Sequence, residues 1–123
     1  MLPHNHDDNE KAELLAKMLT EENAVGVSEL FKQVADPTRL RIFWILCHSE
    51  ECVINLAAIM NISSPAVSHH LKLLKSAELA VSRREEKEVY YKAADTKKAR
   101  LLHDTIESLE AIVCPDEDCF LKK

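Results

Sequence analysis

Glycine is almost missing from this chain: Gly26 is the one example in 123 residues. So little backbone freedom points to a mostly helical protein. Long apolar runs are missing too. No stretch approaches the ~20 residues a membrane span needs. The opening Met1-Leu2-Pro3-His4-Asn5-His6-Asp7-Asp8 is polar and acidic, so no secretory signal peptide is expected and the cytoplasm is the expected location. An overall basic charge is lacking: the net charge is −5, which argues against indiscriminate nucleic-acid binding. An enzyme would need a pocket with a nucleophile and a base. Ser68 beside His69 and His70 is the only lookalike, and adjacent helical residues do not face one another. Internal repeats are absent. Enzyme and membrane functions therefore fall away first.

Charge is present but unevenly placed. Residues 1–30 carry 2 basic and 7 acidic side chains, residues 31–100 carry 12 and 8, and residues 101–123 carry 2 and 6. A basic middle between acidic ends suits a core that faces DNA. Length predicts one domain with a small core, which dimerisation would help. We expect a flexible arm over 1–8, a domain over 9–113 and a cysteine-containing tail over 114–123. Four cysteines in a cytoplasmic chain suggest metal or redox chemistry rather than a disulfide frame.

The central stretch is Ser63-Ser64-Pro65-Ala66-Val67-Ser68-His69-His70-Leu71-Lys72-Leu73-Leu74-Lys75. Ser63 or Ser64 can cap a helix there, and Pro65 suits its first turn. Val67, Leu71 and Leu74 fall on one buried stripe. The other face offers Ser68, His69, Lys72 and Lys75, short polar groups for base edges and lysines for phosphates. A solvated surface helix would look similar, so the flanking segments decide. A short helix over about 53–60, using Leu56, Ile59 and Met60, precedes it across the turn Asn61-Ile62-Ser63-Ser64. That pair is a helix-turn-helix pattern.

Upstream, a first helix runs over about 9–22, a break follows at 24–27 around Gly26, and Ser28 opens a second helix. Asp36-Pro37 starts a third, with Leu40, Ile42, Phe43, Ile45 and Leu46 inward and Cys47 as a core thiol. Downstream, 80–84 and 88–93 are rich in β-formers around Glu85-Glu86-Lys87, a two-stranded wing carrying Arg83, Arg84 and Lys87. The last helix, 95–113, has Leu102, Ile106, Leu109 and Val113 at coiled-coil spacing. We expect it to pair, with the first helix, against a second copy of the chain. The expected fold class is therefore mainly α with a small β-hairpin, a homodimer held by N- and C-terminal helices.

Phe31 to Ile42 with its Ala35-Asp36-Pro37-Thr38-Arg39, then Cys52-Val53, then Ala66-Val67-Ser68-His69-His70-Leu71, then Val89-Tyr90-Tyr91, resemble the ArsR/SmtB family of winged-helix repressors. The resemblance spans about residues 28–112. It implies a homodimer on a promoter palindrome, in double-stranded operator DNA, released by a metal ion or a thiol oxidant. The polar face of the central helix and the charge on the wing make Ser64, Ser68, His69, Lys72, Lys75, Arg83, Arg84 and Lys87 the expected DNA contacts. Relatives carry one metal site at the start of the helix before the turn. Cys52 matches its first cysteine, while Ile54 and Asn55 stand where further ligands would be. His4 and His6 of the other subunit's arm would complete a Zn2+ or Cd2+ site with Cys52, with Pb2+ next in preference. A second family site, on the last helix, keeps Asp95 but has Lys97, Ser108 and Ala111 in place of its other ligands, so it reads as absent. Cys114 and Cys119 are a third candidate, as soft-metal ligands or as a redox pair for a thiol- or sulfide-sensing repressor. His103 and Glu107, one helical turn apart, read as a surface pair. The wing lacks the family's tip glycine, so a wider turn is expected.

Overall fold

The computed structural model describes residues 8–114. The chain divides into two compact units, Met1–Phe31 and Lys32–Lys123.

In the first unit, α1 spans Asp8–Lys17, and α2 begins at Glu21 and runs to Val34. The break between them lies at Met18–Thr20 rather than at Gly26. Thr20 explains the shift. Its hydroxyl accepts from the Asn23 N–H at 3.1 Å, and its carbonyl accepts from Ala24 at 2.9 Å. Glu21 and Glu22 then place negative charge on the first turn, where the helix dipole favours it. Gly26 sits inside α2 with open space where a Cβ would be. Ser28 opens no helix; its hydroxyl donates back to the Val25 carbonyl at 3.0 Å.

The second unit is built on α3 (Pro37–His48), β1 (Glu51–Cys52), α4 (Val53–Met60), α5 (Ser64–Ser76), β2 (Ala80–Glu85), β3 (Glu88–Ala93) and α6 (Lys97–Val113). Asp36 caps α3 by accepting from the Arg39 N–H at 2.8 Å. Ile42, Phe43 and Leu46 from α3, Leu56 and Met60 from α4, and Val67, Leu71 and Leu74 from α5 form the core with Leu79 and Leu102. Leu40 and Ile45 are only half-buried, and Ile59 is exposed. Truncating a fully buried residue such as Leu71 to Ala would cost about 2–5 kcal/mol.

The turn between α4 and α5 is Asn61–Ser63. Asn61 ends α4 in the left-handed region, φ 54°, a conformation asparagine tolerates better than most residues. Ser63 caps α5 by accepting from the Ala66 N–H at 3.2 Å. The sheet has three strands in the order β1-β3-β2, all antiparallel, not two. The added strand pairs Glu51 with Tyr91 and Cys52 with Tyr90. Two residues are too short to show an alternating pattern in sequence. In the wing Glu85 pairs with Glu88, so the turn is the tight pair Glu86-Lys87 rather than a wide loop. Glu86 takes φ 56°, the conformation a glycine would accept without steric cost. The arrangement is a winged helix-turn-helix.

Candidate nucleic-acid interface and metal sites

α5 divides cleanly into two faces. Val67, Leu71 and Leu74 are buried against neighbouring elements, and α5 packs on α3, α4 and β2. Ser64, Ser68, His69, Lys72 and Lys75 are all exposed. Next to them, His70 turns inward. Its Nδ1 accepts from Arg39 Nε at 3.4 Å, and its Nε2 lies 3.9 Å from the Asp36 carboxylate. Partial burial holds the His70 imidazole below its usual range, although Asp36 pulls the other way. Asp36 itself is held below the usual carboxylate range, first by the Arg39 backbone N–H. His70 thus pins α5 to the start of α3 and leaves His69 to face outward.

The basic side chains expected on DNA do not stand alike. Lys72 and Lys87 have no partner among the described residues. Lys75 Nζ donates to Ser82 Oγ at 2.7 Å, tying the end of α5 to the wing. Arg84 Nε donates to the Glu86 carbonyl at 3.4 Å. Arg83 is committed most fully. It grips Glu50 with Nε at 2.9 Å and Nη2 at 2.6 Å, reaches Glu85 with Nη1 at 2.7 Å, and lies 4.9 Å from the Tyr90 ring centre. These bonds hold its guanidinium pKa above the ordinary value and the Glu50 carboxyl below its own. Arg83 therefore clamps the wing to the corner after α3.

The metal candidates also separate. Cys52 is a free thiol, 8% exposed, at the cap position of α4 with no side-chain capping bond. Ile54 is exposed, and Asn55 donates to Glu51 at 3.2 Å. No group of three ligand side chains gathers around Cys52 among the described residues. His4, His6 and Cys119 lie outside the described residues. Cys114 is disulfide-bonded, so in this state its sulfur is not a thiolate ligand. Asp95 is taken up by Arg100.

A different trio does come together: His48, His103 and Glu107. His103 Nε2 is 3.0 Å from His48 Nε2 and 2.8 Å from Glu107 Oε1. The helical spacing of His103 and Glu107 is visible in sequence; His48, the last residue of α3, has no sequence signal linking it to them. His48 and His103 border an open cavity of about 510 Å3, which Cys47 also lines. Cys47 is half-buried rather than a core residue, and burial pushes its thiol up to about 11.

Comparison with known proteins agrees with this geometry. Residues 36–82 match the family described as bacterial regulatory protein, arsR family. The chain is similar to a transcriptional repressor SmtB homolog of Synechocystis, 37% identical over 76% of this chain and 71% of that one. It is also similar to a cadmium resistance transcriptional regulatory protein CadC homolog of Staphylococcus aureus, 38% identical over 73% of this chain and 74% of that one. Among solved structures it resembles a homodimeric winged helix-turn-helix DNA-binding domain from Mycobacterium bovis, with TM-score 0.64 and 26% identity, covering 88% of this chain and 91% of that one. With two relatives above one-third identity over most of both chains, and a helix-turn-helix whose second helix bares a polar face, this chain belongs to the arsR family of bacterial regulatory proteins and is a transcriptional regulator, not an enzyme.

Proposed function

We propose that this protein is a cytoplasmic repressor that binds a promoter palindrome as a homodimer and is released by a thiophilic divalent metal, Zn2+ or Cd2+ first and Pb2+ next. The observation that carries the reading is the exposed polar face of α5, with Ser64, Ser68, His69 and Lys72 projecting from a helix whose other side is fully buried. Ser68 and His69 read base edges; Lys72, Lys75, Arg84 and Lys87 meet phosphates. Dimerisation is supported by α6, which leaves Leu101, Leu109, Ile112 and Val113 exposed, and by the homodimeric relative. A metal effector is supported by the name of the Staphylococcus aureus relative, a cadmium resistance transcriptional regulatory protein.

Cys52 is the thiolate donor of this effector site. Its place at the start of α4 sets it at the leading edge of the helix-turn-helix. His4 and His6, or Cys119 together with Cys114 once the latter is reduced, supply further ligands. Metal releases DNA only if it prefers the low-affinity conformation, so operator DNA must weaken metal binding by an equal factor. Cys52→Ser should keep operator affinity and lose release by Cd2+, read by fluorescence anisotropy, whereas Cys47→Ser should change neither. Suppose instead that Cys52→Ser responds normally to every metal, and that changing Cys114 and Cys119 to Ser abolishes a response to polysulfide. The effector is then a thiol oxidant rather than a metal.

A further inference from the structure

We propose that the end of α3 and the middle of α6 form a metal site independent of Cys52, taking a borderline divalent ion such as Zn2+ or Co2+ through His48 Nε2, His103 Nε2 and a Glu107 carboxylate oxygen, with water in the fourth position. It goes beyond the Cys52 reading: it needs no cysteine, and all three ligands come from one chain.

The geometry is close to what such an ion requires. The three ligand atoms lie within 4.8 Å of one another. Zn–N and Zn–O bonds of about 2.0–2.1 Å in a tetrahedron put neighbouring donors about 3.3 Å apart. The observed 3.0 Å and 2.8 Å need to open by only a few tenths of an ångström.

The protons point the same way. His103 Nε2 faces two acceptor-capable atoms at once, a carboxylate oxygen and another imidazole nitrogen. A neutral imidazole has one N–H. If it lies on Nε2, it satisfies one neighbour and not the other. If it lies on Nδ1, Nε2 turns a lone pair toward the carboxylate. Asp104 Oδ1, 3.4 Å from His103 Nδ1, favours the second tautomer. A histidine whose far nitrogen is held by a carboxylate while its near nitrogen points at other donors is the usual arrangement of a metal-bound imidazole. A cation between the three atoms would take a lone pair from each of them at once.

The surroundings hold the ligands in place. Trp44 packs against His48 with ring centres 4.2 Å apart, and the two imidazoles meet edge to face at 4.9 Å. The His103 side chain is 19% exposed, while Glu107 at 50% leaves a path for the ion. Histidine nitrogens with one carboxylate suit Zn2+ or Co2+ better than Ca2+ or Mg2+, which take oxygen ligands. An ion here fixes α6 to the end of α3, four residues before Cys52.

The test is a Co2+ titration of the full chain carrying Cys52→Ser, followed by absorption. The metal alone is the probe and DNA is absent, so the result does not depend on the Cys52 reading or on operator release. The site predicts visible ligand-field bands with no thiolate charge-transfer band. His103→Gln, His48→Gln and Glu107→Gln should each weaken Co2+ binding about 100-fold or more, and Asp104→Asn about tenfold. Circular dichroism melting without metal checks folding; should His103→Gln fail to fold, the exposed Glu107→Gln carries the test. Co2+ affinity unchanged in Glu107→Gln overturns the proposal. So does a charge-transfer band that vanishes in Cys47→Ser, because the ligand set would then be a thiolate one.

Discussion

α5 and α6 look alike in sequence and meet opposite fates. Each has apolar residues at helical spacing and a charged remainder. α5 buries its whole stripe inside the chain: Val67, Leu71 and Leu74 are at most 1% exposed. What it leaves outside is polar. α6 buries Ala99 and Leu102 alone and leaves apolar groups outside, with Ile112 at 73% and Val113 at 82% exposure. Periodicity tells that a helix has two faces, not which face finds its partner at home. A bared polar face with fixed donors suits a polyanion; a bared apolar face suits protein. Leu102, expected at the seam between copies, packs in its own chain, so the exposed stripe is led by Leu101, Leu109 and Ile112.

The largest test of that contrast is Leu109→Glu. If α6 meets its copy there, the substitution sets a carboxylate in an apolar interface near its symmetry mate. A penalty on the order of 3 kcal/mol raises the dimer dissociation constant more than about 100-fold. Sedimentation should show monomer, and operator affinity should fall with it. A variant that stays dimeric would place the interface elsewhere.

A smaller effect separates the free cations from the committed ones. Lys72→Ala should weaken operator and random DNA alike and make the salt slope of binding shallower by about one unit. Arg83→Ala should leave that slope unchanged and loosen the wing, read as faster amide exchange in β2 and β3. Equal slope changes in both would put Arg83 on the phosphate backbone after all.

The smallest effect is at the wing tip. Glu86→Gly relieves a left-handed non-glycine position and should add about 1 kcal/mol to stability in denaturant titration. No gain would mean that the turn relaxes in solution.

Where local chemistry decides a feature, the sequence was legible. Asp36-Pro37 and Ser63 with Pro65 announce the starts of α3 and α5, and both caps form. The α4 boundaries follow from the apolar run at 53–60. The misreadings have physical causes. Gly26 looked like a break because glycine disfavours helix by about 1 kcal/mol, but a Thr20 cap with two acidic residues outweighs that. β1 exists because β3 offers a free edge, which no pair of residues can signal. Cys47 follows an apolar run and so looked like core, yet helix geometry turns it to a cavity. The commitment of Arg83 depends on Glu50, and the trio depends on His48 meeting His103. Contacts between such distant positions are set by the fold and leave no trace in local pattern.

The central claim is that the exposed face of α5 reads DNA sequence in a dimer. The direct measurement is selection from a random duplex library, sequencing what the wild-type chain and a Ser68→Ala, His69→Ala double variant retain. The account predicts a palindrome with half-sites about 10–11 base pairs apart, centre to centre, which blurs within each half-site in the double variant. No enriched sequence, or an equally sharp palindrome from the double variant, would contradict it.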